Sequence, residues 1–305
     1  MELSQLLKHK WLNQWQLFWL IATPISLLML VAMLQVKTWD APAVSSMIQL
    51  SVRCAVPWLF LAFAASSLQV LFPSPLTRWL MRNRKIMGLS FAAAMAWQGF
   101  FILWLTTVYR DYYIQEVYVL RDAIEGTVGY MFLAAMTVTS FSFGRKRLSP
   151  RAWRWLHKAG IYFLWAYAYT VYWWNLFYYP GPIWLDYVYY VAGFSACALR
   201  SAAWRKKRLL KMQRGSDIAV APAAFQLTGW ALASIGIVVA FMTPMWRQLS
   251  EDILTGYALT AIPEKYLPYW PFEPFIPLLI IAFGAWMTTW VRPAELSMDP
   301  GSSPG

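Results

Sequence analysis

His157 is the residue of this chain best placed to do chemistry. It lies in RKRLSPRAWRWLHKAGIYFLWAYAYTVYWWNLFYY, residues 145–179, where six basic residues give way to an apolar, aromatic run. An imidazole in such a place titrates near neutral pH and can ligate a metal or a heme iron. The only other histidine, His9, stands in a short N-terminal segment. Cys54 and Cys197 are the only cysteines, and neither has a histidine near it in sequence, so no disulfide and no metal site are expected. GxGxxG, P-loop and CxxC motifs are missing, and no soluble cofactor domain is expected. Two further groups stand inside apolar stretches. Arg53 carries a charge there, and Tyr167 and Tyr169 carry hydroxyls that need partners.

The elements that must position these groups are membrane helices. Hydrophobic residues make up 59% of the chain and charged ones 13%, against roughly 45–50% and 25% in soluble domains. The apolar residues also run in blocks long enough to cross a bilayer, about 20 residues each. An all-α, polytopic helix bundle follows, with about eight spans at 16–36, 47–71, 86–109, 126–143, 160–179, 185–204, 219–245 and 275–291. Pro24 and Pro57 fall inside the first two, where neighbouring helices can satisfy the carbonyls they free. The N-terminal segment lacks a continuous apolar run ending in small residues, so no cleaved signal is expected. The loop 109–125 and the start of the loop 246–274 read as interfacial helices. Prolines forbid helix in PEKYLPYWPFEPFIP, and residues 293–305 read as a disordered tail.

Charge sets the orientation. With the N-terminus inside, 20 of the 26 Lys and Arg residues fall in cytoplasmic segments and 5 in outer ones, while Arg53 lies within the second span. Basic residues are held on the cytoplasmic side, so both termini are expected in the cytoplasm. The net charge of +12 is thereby explained by topology, and no nucleic-acid partner is expected. The lipid bilayer is the expected partner, and a bacterial cytoplasmic (inner) membrane the expected location.

Two stretches resemble the ferric-reductase-like transmembrane superfamily, most closely its small bacterial members that serve as the heme-bearing membrane subunit of methionine sulfoxide reductase. One is PLTRWLMRNRKIMGLSFAAAMAWQGF, residues 75–100, with a basic pair, a Gly-Leu and a helix. The other is WRWLHKAGIYFLWAYAYT, residues 153–170, with the Trp-x-x-Leu-His pattern. The resemblance covers residues 1–214 as a six-helix domain. Residues 215–292 add a helical hairpin with a long outer loop. In the family a heme-ligating histidine lies ten residues after the motif glycine and another thirteen after the Leu-His histidine. Here those positions are Gln98 and Thr170. Thirteen residues rise about 20 Å, which puts both at about one depth. Neither Gln nor Thr is a usual axial ligand of heme iron.

The resemblance therefore implies a redox-type membrane subunit, derived from electron-transfer proteins, that works with a separate redox or membrane-complex partner. Paired bis-histidine b-type heme is not expected. His157, the one family-matched ligand retained, could bind a flavin or a single surface heme, or make a local hydrogen bond. Gln98 and Thr170 could hydrogen-bond to each other across the third and fifth spans, or line a cavity for another ligand. Tyr167 could line a pocket for a quinone or another flat apolar molecule. Arg53 could snorkel to the outer surface, pair with Asp122 or Glu125, or hold an anion. The rival class is a non-redox membrane protein that binds a lipid-like or quinone-like molecule or scaffolds a complex.

Overall fold

The structure, a computed structural model, describes residues 3–177, 179–213, 221–245 and 273–290. Every regular element among them is helical. The longer helices are α1 (Gln14–Gln35), α2 (Ala41–Leu71), α3 (Arg84–Val108), α4 (Leu120–Thr139), α5 (Pro150–Phe177), α6 (Trp184–Gln213), α7 (Ala223–Phe241) and α8 (Ile276–Met287). Of these, α1, α2, α3 and α7 are long and apolar enough to cross a membrane. Leu34 on α1 is 87% exposed and Phe241, at the end of α7, 78%. Bare apolar surface of that kind fits a lipid environment. Helices α4, α5 and α6 are long but carry charge at their ends, including Arg121, Asp122 and Glu125 on α4 and RKKRLLK on α6, and α8 has only 12 residues.

Several helices run past the expected limits of their apolar cores. α2 begins at Ala41, where the Asp40 carboxylate accepts a hydrogen bond from the Ala43 N–H at 2.8 Å and a proline occupies the first turn. That is a strong start signal in polar sequence. α5 starts at Pro150 and α6 continues to Gln213, because Lys and Arg are good helix formers and carry the helices through the charged segments. The 109–125 stretch is not one interfacial helix. It forms a short turn, Arg110–Tyr112, then a π-helical turn, Tyr113–Val117, before α4 begins at Leu120. The expected interfacial helix after residue 246 and the tail 293–305 lie outside the described residues.

Contacts divide the chain into two compact units, Met1–Cys197 and Ala198–Gly305, so α6 begins in one and ends in the other. In the first unit, α2 is the central element. Its buried face is rich in small residues, among them Ser51, Ala55, Ala62, Ala65 and Ser67, which allow α3 to approach closely. In lipid, where apolar side chains gain little by leaving solvent, such close packing is what associates helices. A flat stack of rings, Phe63, Trp165, Tyr169 and Tyr190, joins α2, α5 and α6 at centroid distances of 5.0, 5.5 and 5.5 Å. At the other end Asn83, 1% exposed, accepts from the Gln14 N–H at 3.1 Å and donates to Asn13 Oδ1 at 3.1 Å. These bonds hold Gln14, whose φ of 54° no β-carbon favours, at the first position of α1.

In the second unit, α7 and α8 meet through glycines. A Cβ placed on Gly229 would stand 2.6 Å from the Gly284 carbonyl oxygen, and one on Gly236 2.7 Å from that of Pro277. Arg205, near the end of α6, donates to Thr288 Oγ1 at 2.7 Å and lies over the Trp230 ring at 4.5 Å.

Candidate functional site

The principal site is a cavity of about 710 Å³ bounded by α2, α3, α4 and α5, with Tyr113 and Val117 of the π-helical turn in its wall. That volume lies inside the range of small-molecule pockets, about 300–1,000 Å³. Its lining is mostly apolar. On α3, Met95, Gln98, Ile102 and Leu105 contribute at the three- and four-residue spacing of one helix face. Leu164 and Tyr167 contribute from α5, and Asp122, Gly126 and Tyr130 from α4.

The polar groups are few and specific. The Tyr130 hydroxyl donates to Gln98 Oε1 at 2.8 Å and lies 3.2 Å from the Met95 carbonyl oxygen. The end of the Tyr130 ring lies beside Gly99, where an added Cβ would make an ordinary contact at 3.5 Å. With its carbonyl engaged, Gln98 retains two amide N–H donors. Tyr167 is half-buried in the same wall. Asp122, at the cavity edge, pairs with Arg121 at 2.7 Å.

Thr170 lines neither this cavity nor the one beside it, and Gln98 bonds to Tyr130 rather than to Thr170. Depth along a helix does not settle direction. On α5 the residues facing the two cavities include Leu164, Tyr167 and Val171, and at 3.6 residues per turn Thr170 lies about a quarter-turn away. Tyr169 belongs to the core: it is fully buried and hydrogen-bonds to Tyr190.

His157 sits apart from both cavities, half-buried between α4 and α5. Its Nε2 is 3.0 Å from Thr139 Oγ1. The single Thr139 hydroxyl hydrogen is directed at the Ala135 carbonyl, 2.6 Å away, so the histidine nitrogen carries the proton and donates. Trp153 packs against the imidazole at 4.3 Å, donates its own N–H to the Thr139 carbonyl at 3.0 Å, and has the Arg145 guanidinium over its ring at 4.6 Å. Burial, with the cations Arg84 and then Arg145, lowers the His157 pKa below its ordinary 6.5. The ring is therefore a neutral clasp between two helices at neutral pH.

Arg53 lines a second cavity, of about 420 Å³, with Tyr172, Asn175 and Asp186. No ion pair joins it to Asp122 or Glu125 among the described residues; Asp122 pairs with its neighbour Arg121 instead. Neither cysteine is in a disulfide, both are half-buried, and no group of three metal-ligating side chains occurs among the described residues. Sequence reasoning missed Tyr130. Its signal was a hydroxyl inside an expected span, 126–143, which must find a partner there. No protein-family model, curated protein or solved structure matches the chain.

Proposed function

We propose that this chain is a redox-type subunit of the bacterial cytoplasmic membrane, with about eight spans and both termini inside, whose α2–α5 cavity holds a quinone-like molecule instead of paired b-type heme. It works with a separate partner protein that exchanges electrons with the bound molecule. The observation that carries the reading is the mostly apolar 710 Å³ cavity with Gln98 and Tyr167 in its walls. A quinone head is flat and apolar, with two carbonyl oxygens that accept hydrogen bonds. The Gln98 amide and the Tyr167 hydroxyl are donors of the kind such oxygens need. The Tyr130 bond supports this by turning the Gln98 carbonyl toward α4. Gln98 stands where the resemblance places a heme ligand, so a cavity at that level is compatible with descent from a heme protein.

The test is a titration of purified protein with a short-chain quinone, followed by quenching of tryptophan fluorescence. Tyr167→Phe and Gln98→Leu are each expected to weaken binding by about 2–10-fold, the worth of one net hydrogen bond. Equal affinity in wild type and both variants would refute the site. A stoichiometric low-spin heme spectrum in unmodified protein would refute the reading as a whole.

A further inference from the structure

The second cavity carries charges that nothing in the first reading uses. Arg53, on α2, and Asp186, on the first turn of α6, both line it, yet they do not pair with each other. Asp186 is 3% exposed, and its oxygens accept from Asn175 Nδ2 at 3.1 Å and the Ile183 N–H at 2.9 Å. Arg53 is half-buried with its guanidinium unpaired among the described residues, and its backbone carbonyl accepts from the Tyr189 hydroxyl at 2.9 Å. Tyr172, 1% exposed, lines the same cavity, and its hydroxyl has no hydrogen-bond partner among the described residues. That hydroxyl lies within electrostatic reach of both Arg53 and Asp186.

A buried hydroxyl without a partner is rare in folded proteins and calls for an explanation. A cation and an anion that share a cavity without touching call for one too. A ligand that brings an anion to Arg53 and Tyr172 and a cation to Asp186 satisfies all three.

We propose that this cavity binds the zwitterionic headgroup of a phosphatidylethanolamine-type lipid. Its phosphate meets the Arg53 guanidinium and the Tyr172 hydroxyl, and its ammonium meets the Asp186 carboxylate. Arg53 is a suitable phosphate partner because its planar fork matches two phosphate oxygens. The apolar Ile48, Val52 and Val171 in the same wall suit the glycerol and first methylenes of the chains. The site is separate from the quinone cavity: Arg53, Tyr172 and Asp186 do not line that one, although Ile48 and Gln49 stand in both walls.

The experiment uses delipidated full-length protein in detergent. It is titrated with phosphatidylethanolamine, phosphatidylglycerol, glycerophosphoethanolamine and inorganic phosphate, and complexes are counted by native mass spectrometry. Phosphatidylethanolamine is expected to bind at least about tenfold tighter than phosphatidylglycerol, the worth of one charge-assisted contact. Arg53→Gln and Tyr172→Phe should each weaken it, the first by about tenfold or more. Tyr172→Phe keeps the ring and its packing, so it reads the hydroxyl even if the arginine variant folds poorly. Equal binding of the two lipids, or unchanged binding in both variants, would overturn the proposal. Glycerophosphoethanolamine or inorganic phosphate binding as tightly as the lipid would also overturn it, by making a soluble phosphate the occupant. Short-chain quinone affinity should be unchanged in Arg53→Gln, which separates this site from the other.

Discussion

The hydrogen bond between Tyr130 and Gln98 can be measured directly with a double-mutant cycle of Tyr130→Phe and Gln98→Leu. In Tyr130→Phe the ring stays against Gly99 and only the hydroxyl is lost, so packing changes little. The bond is a neutral O–H to amide oxygen at 2.8 Å, between side chains of two helices, α4 and α3. Such bonds contribute about 0.6 kcal/mol on average and up to about 1.7 kcal/mol in membrane proteins. The upper half of that range applies here, because loss of the Tyr130 hydroxyl leaves the Gln98 oxygen without its donor at the wall of a largely apolar cavity. We therefore expect a coupling energy of about 1 kcal/mol, roughly a fivefold change in the folded-to-unfolded ratio. Unfolding by SDS titration in mixed micelles, followed by far-UV circular dichroism, gives the four stabilities. The single change Tyr130→Phe should also weaken quinone binding several-fold, since Gln98 is then free to turn its carbonyl into the cavity. A coupling energy indistinguishable from zero would mean that the pair does not fix Gln98, and the argument for its donors facing the ligand would fall.

Further outcomes follow from the same geometry. Replacing Gly229 and Gly236 by Leu should disrupt the α7–α8 pairing at a cost of at least about 1–3 kcal/mol while leaving quinone affinity intact; lost quinone binding in a folded double variant would contradict this. Because burial and the neighbouring cations lower the His157 pKa, the neutral ring stabilises the folded state above the unfolded value of 6.5, and that contribution is lost as pH falls through the folded value. His157→Gln should flatten the loss of stability between about pH 7 and about pH 5, and an identical slope in both proteins would refute the clasp. Gln98→His with Thr170→His should fail to bind low-spin heme, since residue 170 lies about a quarter-turn from the α5 residues that line the cavity; a bis-histidine spectrum would overturn the placement of α5. Reporter fusions after Lys85 and Gly144 should behave as cytoplasmic and one after Glu116 as external, and an external signal at Gly144 would undo the proposed topology.

Much of the helical layout was legible because its causes are local. Apolar runs, Pro and Gly punctuation and the spread of charge place a helix wherever they occur, and each of the eight expected spans overlaps one of α1–α8. Where those helices end was less legible. A membrane boundary is set by polarity, whereas a helix end is set by caps such as Asp40 or by a proline such as Pro150, and the two do not coincide. Gln98, Tyr167 and Arg53 could be singled out in advance, since a polar group inside an apolar span requires a partner. Which partner it finds depends on the neighbours that packing brings to it. Tyr130, 32 residues from Gln98 in sequence, meets it because its long side chain reaches across from α4 to α3, and Tyr172 shares a cavity with charges from α2 and α6 because packing brings those helices together. Thr170 shows the limit most plainly. Counting residues gives its depth, but the face it presents depends on how α5 is rotated against its neighbours, and only tertiary packing fixes that rotation.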